Sequence, residues 1–375
     1  MILQRLSVQK QVIVLVSCWS ILQCFLFYNF GIVTRFESGK YIAQANALLQ
    51  TGHYTSGNFL FYSIEILLIA FSYITHTFPW LVVAIQLLVN AVSVFYFYKL
   101  CFDITKNYLQ TFFVTLFFIC FFYYQLYNVH LFTESLYFSF GIIYTYLLFS
   151  VKKISAKNII LLLVGISFLY FTRPTGVFFL PSTLVYLTLK FYRNKAWLIL
   201  SIFFLLGVIS LYFLLNFALN SGGEFDFLLP YLDERIICGV PTIQGQHSIY
   251  IPVEKNSVQG LFYIITHYPS LFFGLAGKRL LAFFGVVRSY FSFSHNIFIA
   301  VYFYSTYILG IFGLRKMISA FAPQTFYFLA NICFLMITVM LSCDEWHNRF
   351  ILGLFPFFLL LACGALITKE RKNVQ

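Results

Sequence analysis

Apolar runs of membrane length recur from one end of this 375-residue chain to the other. About twenty consecutive apolar residues cross the hydrocarbon core of a bilayer as a helix. Backbone polar groups find no water there, so only helices and closed barrels are admissible. A barrel would show alternating segments of about ten residues, and these runs are longer and continuous. Charged residues make up 10% of the chain, against about a quarter in a soluble domain, too few to cover a water-facing surface. The expectation is an all-α polytopic membrane protein, a single transmembrane domain over 1–375 with no separate soluble domain. The first run is read as a retained helix, because no small-residue cleavage site follows it.

The clearest spans are 11–30, 80–100, 107–126, 131–150, 197–216, 296–314, 320–341 and 349–368. A further apolar stretch between Lys157 and Lys190 is too long for one crossing, and Arg173-Pro174 divides it into two, which makes about ten helices. With Arg5 and Lys10 inside, the inner loops collect Lys99 and Lys106; Lys152, Lys153 and Lys157; Lys190, Arg193 and Lys195; Arg315 and Lys316; and Lys369, Arg371 and Lys372. That is 15 of the 24 basic residues, as the positive-inside rule requires. Both termini are then cytoplasmic, in a multi-pass plasma membrane, a bacterial inner membrane being the expected one. The net charge of +12 reflects these loops and does not point to nucleic acid.

Two stretches, 59–77 and about 270–293, test this count. A full crossing by 59–77 alone would flip every later lysine cluster outward. It is therefore assigned to the external loop 31–79 as a membrane-parallel or re-entrant segment. The same parity places 270–293 in the external loop 217–295, where basic residues among apolar ones suit the interface. If both cross, the count becomes eleven or twelve. Cys238 and Cys343 both fall outside, and a disulfide between them stays open.

This topology gathers scattered polar residues on the outer side. Glu37 is flanked by Arg35 and Lys40 in "TRFESGKYIAQANALLQTGHYT"; Glu134 opens an apolar run in "TESLYF"; Arg173 precedes a proline. A later loop supplies Lys278, Arg279 and Arg288, and "CDEWHNRF" supplies Asp344, Glu345, His347 and Arg349. A carboxylate at a membrane helix start is costly unless it is paired or lines a wet cavity. A carboxylate can take a proton from an attacking hydroxyl, and guanidinium and ammonium groups can hold a phosphate. The competing reading is ordinary polar residues at the water boundary. Glu65, within "YSIEILLIAF", either faces a cavity or reaches the headgroups. There is no GxGxxG beside a strand, no GxxxxGK[ST] and no HExxH. "DEWH" could lend a ligand or two to a divalent metal ion, with the others from elsewhere; no cofactor is called for otherwise.

The order of these motifs resembles the GT-C class of integral-membrane glycosyltransferases, in particular its protein-mannosyltransferase and aminoarabinose-transferase branch. One helix is followed by an acid and "GKYIAQANALLQTGHY", then "TESLYF", "TRPTGVFFLP" and "DEWHNRFILGLFPFFLLLACG". The resemblance runs over nearly the whole chain. Glu37 stands where members often have aspartate, Ser38 where a second acid sometimes follows, and Ser135 where proline is common. It implies a sugar donor on polyprenyl phosphate, a lipid, glycan or protein acceptor, and inverting transfer on the external side. By resemblance Glu37 is the catalytic base and Glu134 the second catalytic acid of the loops. Arg279, Arg349 and Lys278 are the first choices for the lipid phosphate, with Arg173, Arg288, His347 and Tyr41 as further binding residues. Arg35, Lys40, Asp344 and Glu345 are additional candidates. The last apolar run nearly ends the chain, so acceptor recognition is expected from the loops or a partner. A flippase or transporter of lipid-linked sugars would show internal repeats and midplane polar residues, and no repeat is evident. A glycan polymerase or ligase would lean on late arginines instead of an early acid.

Overall fold

A computed structural model describes residues 8–195, 197–202, 205–207, 209, 212, 228–238, 240, 250 and 258–367. The expected span 197–216 falls partly outside them, and Arg5, Lys369, Arg371 and Lys372 fall outside. The chain is a helical membrane protein. Among the described residues five helical stretches are long and apolar enough to cross a bilayer: Val8–Phe30, Gly57–Ile74, Trp80–Thr105, Phe293–Leu341 and Arg349–Leu366. A sixth arises if Tyr108–Ile119 and Phe122–Val129, bent by 62° at their junction, form one span.

The polypeptide divides into two compact units. The first contains residues 1–183, 302–328 and 355–375. Its early helices are α1 (Val8–Phe30), α2 (Glu37–Thr51), α3 (Ser63–Ile74), α4 (Trp80–Thr105), α5 (Tyr108–Ile119), α6 (Phe122–Gln125), α7 (Thr133–Ser150) and α8 (Ala156–Thr172), with α9 (Phe179–Phe191) beginning at its edge. The second contains 184–301 and 329–354. It includes α10 (Leu229–Leu232), α11 (Val258–His267), α12 (Pro269–Gly285) and a parallel pair of short strands, β1 (Ile237–Cys238) and β2 (Asp344–Glu345). Two helices, α13 (Phe293–Leu341) and α14 (Arg349–Ala362), contribute residues to both units.

Apolar side chains alone cannot choose neighbours in a bilayer, because lipid is as apolar as leucine; buried polar side chains supply the choice. In the first unit Trp19 donates to Asn90 Oδ1 at 2.8 Å, and Asn90 donates to Ser139 at 3.4 Å, tying α1, α4 and α7 together. Gln23, Gln125, Asn128 and Ser135 form a second buried network. Thr145 and the Tyr327 hydroxyl meet at 3.0 Å.

The two spans expected at 296–314 and 320–341 are joined in α13. Its 49 residues would make a straight rod of about 74 Å, far beyond one crossing. Phe321, at φ −140° and ψ 46°, breaks it into two helices beside Pro323. Proline has no N–H to donate and its ring crowds the preceding turn. Thr325 Oγ1 donates to the Phe321 carbonyl at 2.8 Å, giving an oxygen at the break a partner. The stretch 59–77 is also more divided than the sequence indicates: a 3-10 turn at Gly57–Tyr62 precedes α3, which packs on α2, α4 and α8.

The break at Arg173-Pro174 falls where the sequence places it. After Thr172 a 3-10 turn, Pro174–Phe178, folds back on α8. A Cβ built on Gly176 would lie 2.3 Å from the backbone carbon and oxygen of Leu169, and rigid backbone cannot yield. Gly176→Ala is expected to destabilise the protein by about 1–3 kcal/mol through overpacking, read as a lowered melting temperature in detergent. An unchanged melting temperature would show that the turn does not close on α8.

Candidate functional site

The site in the first unit begins with a backbone contact. Val33 and His130 form a parallel bridge, in which Val33 N donates to Val129 O at 2.9 Å and Leu131 N donates to Val33 O at 3.2 Å. Chain positions far apart in sequence are thereby placed side by side. Glu37 and Glu134 each lie four residues beyond the bridge on their own strand, and each falls in the first turn of a helix, α2 or α7. The unsatisfied N–H groups and dipole of a helix N-terminus favour negative charge there.

The two acids have different surroundings. The Glu134 side chain is fully buried and paired with the Arg173 guanidinium. Pro174 ends α8 and leaves Arg173 extended, which releases its side chain toward α7. Glu37 keeps 30% of its side-chain surface, with Lys40 Nζ 3.4 Å away. Tyr41, one turn along α2, is 1% exposed. Burial raises its hydroxyl well above the usual tyrosine range, and the negative charges of Glu134 and Glu37 add to that. Lys40 also lies 5.2 Å and 5.3 Å from the rings of Tyr41 and Tyr62. Arg35 is exposed. Burial lowers the His130 imidazole, which favours its neutral form. An apolar groove of about 310 Å³ runs along α3 and α8, lined by Ile64, Leu163, Val164, Phe168 and Phe171 among others.

In the second unit the late cations divide by environment. Arg279, the first choice for a phosphate ligand, is completely buried. It donates to the carbonyls of Arg235, Met340 and Pro230 at 2.9, 3.1 and 3.0 Å and sits 4.5 Å over the Tyr231 ring. Its fork braces the 229–235 segment, a structural use of guanidinium geometry. Lys278, its neighbour on α12, is exposed. Arg288 pairs with the buried Asp344 and donates to Ala282 O at 2.7 Å. Burial pushes the Asp344 carboxyl up to about 6, with the Arg288 charge pulling the other way. Arg349 donates to Glu345 Oε2 at 2.8 Å and is 4% exposed. His347 is exposed, its ring 3.8 Å from Trp346 and 6.3 Å from Phe291. Cys238 and Cys343 form a disulfide with Cα atoms 5.5 Å apart, at the β1–β2 pair.

Glu37, Tyr41, Glu134 and Arg173 thus gather in one unit, while Lys278, Arg279, Arg288, Asp344, Glu345, His347 and Arg349 belong to the other. Two residues beside the first group escaped assignment from sequence. Glu65 is fully buried on α3, and Gln86 of α4 donates to it at 3.4 Å. A lone acid in an apolar run was the only signal for Glu65, and Gln86 carried none. Among the described residues no cluster of three or more His, Cys, Asp or Glu side chains could hold a metal ion. No protein-family model, curated protein or solved structure matches this chain.

Proposed function

We propose that this chain is a glycosyltransferase of the GT-C type, moving a sugar from a polyprenyl-phosphate donor to an acceptor hydroxyl or similar nucleophile on the non-cytoplasmic side of the plasma membrane. The observation that carries the reading is the pairing of two helix-start acids across the Val33–His130 bridge. One of them, Glu134, is closed off by Arg173; the other, Glu37, stays accessible. A purely structural pair of loops has no need of a second, half-exposed carboxylate beside a buried ion pair.

In this reading the Glu37 carboxylate accepts the proton of the acceptor hydroxyl. The acceptor oxygen attacks the anomeric carbon while the bond from that carbon to the lipid phosphate oxygen breaks. The phosphate leaves with the bonding electrons, and the configuration inverts. Cations stabilise that leaving charge. Arg35 and Lys40, which flank Glu37 in the same unit, are the candidates for that role. Tyr41 anchors α2 in an apolar cluster with Ile66, Ile69 and Leu131, and the Glu134–Arg173 pair ties the start of α7 to the end of α8. The groove along α3 and α8 suits an isoprenoid tail. The Cys238–Cys343 disulfide supports an oxidising, non-cytoplasmic location for β1 and β2.

The test is sugar transfer in proteoliposomes supplied with polyprenyl-phosphate sugars. Glu37→Gln preserves size and removes the base, and a loss on the order of a hundredfold in turnover is expected. Wild-type turnover from a folded Glu37→Gln protein would overturn the assignment and favour a ligase. Sugar-lipid translocation without transfer would favour a flippase.

A further inference from the structure

Glu65 is the buried acid of the first unit, among the described residues, to which the proposed reaction assigns no role. Its side chain is completely enclosed, as is that of Gln86. Gln86 Nε2 donates to Glu65 Oε1 at 3.4 Å and also to the Phe132 carbonyl at 3.3 Å, two residues before Glu134. The two remaining oxygens, Glu65 Oε2 and Gln86 Oε1, have no hydrogen-bond partner. Helix α3, which carries Glu65, packs against α2, α4, α8 and the Gly57–Tyr62 turn. Among the described residues none of them brings a cation into an ion pair with Glu65. The charged group whose field reaches Glu65 is Glu134, and its sign is the same.

A carboxylate in that setting would be buried beside a like charge with one amide donor, a costly arrangement. A metal ion would need several more oxygen ligands than two. A single proton answers both orphaned atoms. A carboxylic acid and a primary amide are complementary: the amide N–H donates to the acid carbonyl, and the acid O–H donates to the amide oxygen. One half of that cyclic pair is in place, and the two unpartnered atoms are the ones its other half requires.

We propose that Glu65 is a proton-binding site, its carboxyl held as the neutral acid by Gln86. The proton resides on Oε2, and Gln86 Oε1 is its acceptor. Glu134 and Arg173 neutralise one another, so a protonated Glu65 leaves the buried cluster of this unit without net charge. The consequence rests on the proposed function: an ionised Glu65 would add an uncompensated negative charge behind a site that has to admit a phosphate.

The full-length protein in lipid nanodiscs, at neutral pH, gives the direct measurement. Infrared difference spectra between wild type and Glu65→Gln are expected to contain the carbonyl stretch of one protonated carboxylic acid, shifted in heavy water and lost in the variant. The absence of that band in wild type, or its survival in Glu65→Gln, overturns the proposal. Gln86→Leu offers a second readout, usable if Glu65→Gln does not fold. Removing the amide should move the acid band to higher frequency by freeing its carbonyl, and an unshifted band overturns the pairing. None of these spectra involves donor or acceptor. No acid band in a wild-type protein that transfers sugar, or a band in a protein that transfers nothing, therefore separates this proposal from the reaction assigned above.

Discussion

Arg173→Ala is expected to lower stability by about 3–5 kcal/mol, because it leaves the Glu134 carboxylate buried without its counter-charge. Glu134 has no exposed side-chain surface, and Arg173 has 10%; neither can turn to water for relief. The effect should therefore exceed that of removing an exposed pair such as Lys106–Asp103, which is worth under about 1 kcal/mol. Adding Glu134→Gln to Arg173→Ala should recover part of the loss, since the double variant buries no charge. Thermal melting in detergent, compared across the two single variants and the double, gives the coupling between the two positions. If Arg173→Ala melts with wild type, the pair is not buried, and the distinction drawn between Glu134 and Glu37 fails with it.

The second large effect belongs to the disulfide. Cys238 and Cys343 are 105 residues apart, and a cross-link over so long a loop restrains the unfolded chain strongly. A loss of about 2–4 kcal/mol is expected for Cys238→Ser combined with Cys343→Ser. The figure stays below the full chain-entropy value of about 4.7 kcal/mol for such a loop, because helices held in a bilayer already restrict the unfolded state. The disulfide joins β1 to β2, and the same segment is braced by Arg279 on the carbonyls of Pro230 and Arg235. Reduction of the wild-type protein should lower the melting temperature by the same amount as the double substitution. A wild-type protein insensitive to reductant, with both thiols free to alkylate, would remove the link and with it the support for an oxidising location.

Much of the fold was legible in the sequence because membrane solvation leaves few options. The runs at 11–30 and 80–100 could be nothing but helices, and they are α1 and α4. Arg173-Pro174 announced the end of α8, since proline cannot continue a helix and the residue before it is pushed out of the helical region. The division between 296–314 and 320–341 was legible too, since two helices meet at Phe321 beside Pro323; that they meet at a kink instead of a longer loop was not, because that depends on what packs around the break.

The candidate site was legible in residue type only. Glu37, Glu134 and Arg173 were singled out because charge is costly near lipid, and the structure brings Glu134 and Arg173 together. Among the late arginines residue type left the use of each open. Arg279 has the charge and the donor fork that suit a phosphate, and those same properties make it a brace for three carbonyls.

What the sequence by itself determined was the class of structure and the residues that need a reason to exist: apolar run length dictates helices, and the cost of charge in hydrocarbon marks the exceptions. What only the tertiary structure decided was partnership. The Val33–His130 bridge, the closing of Glu134 by Arg173 and the enclosure of Glu65 with Gln86 join positions on different segments. Hydrogen bonds and ion pairs act over a few ångströms, so their energy exists only once the chain has brought those atoms together.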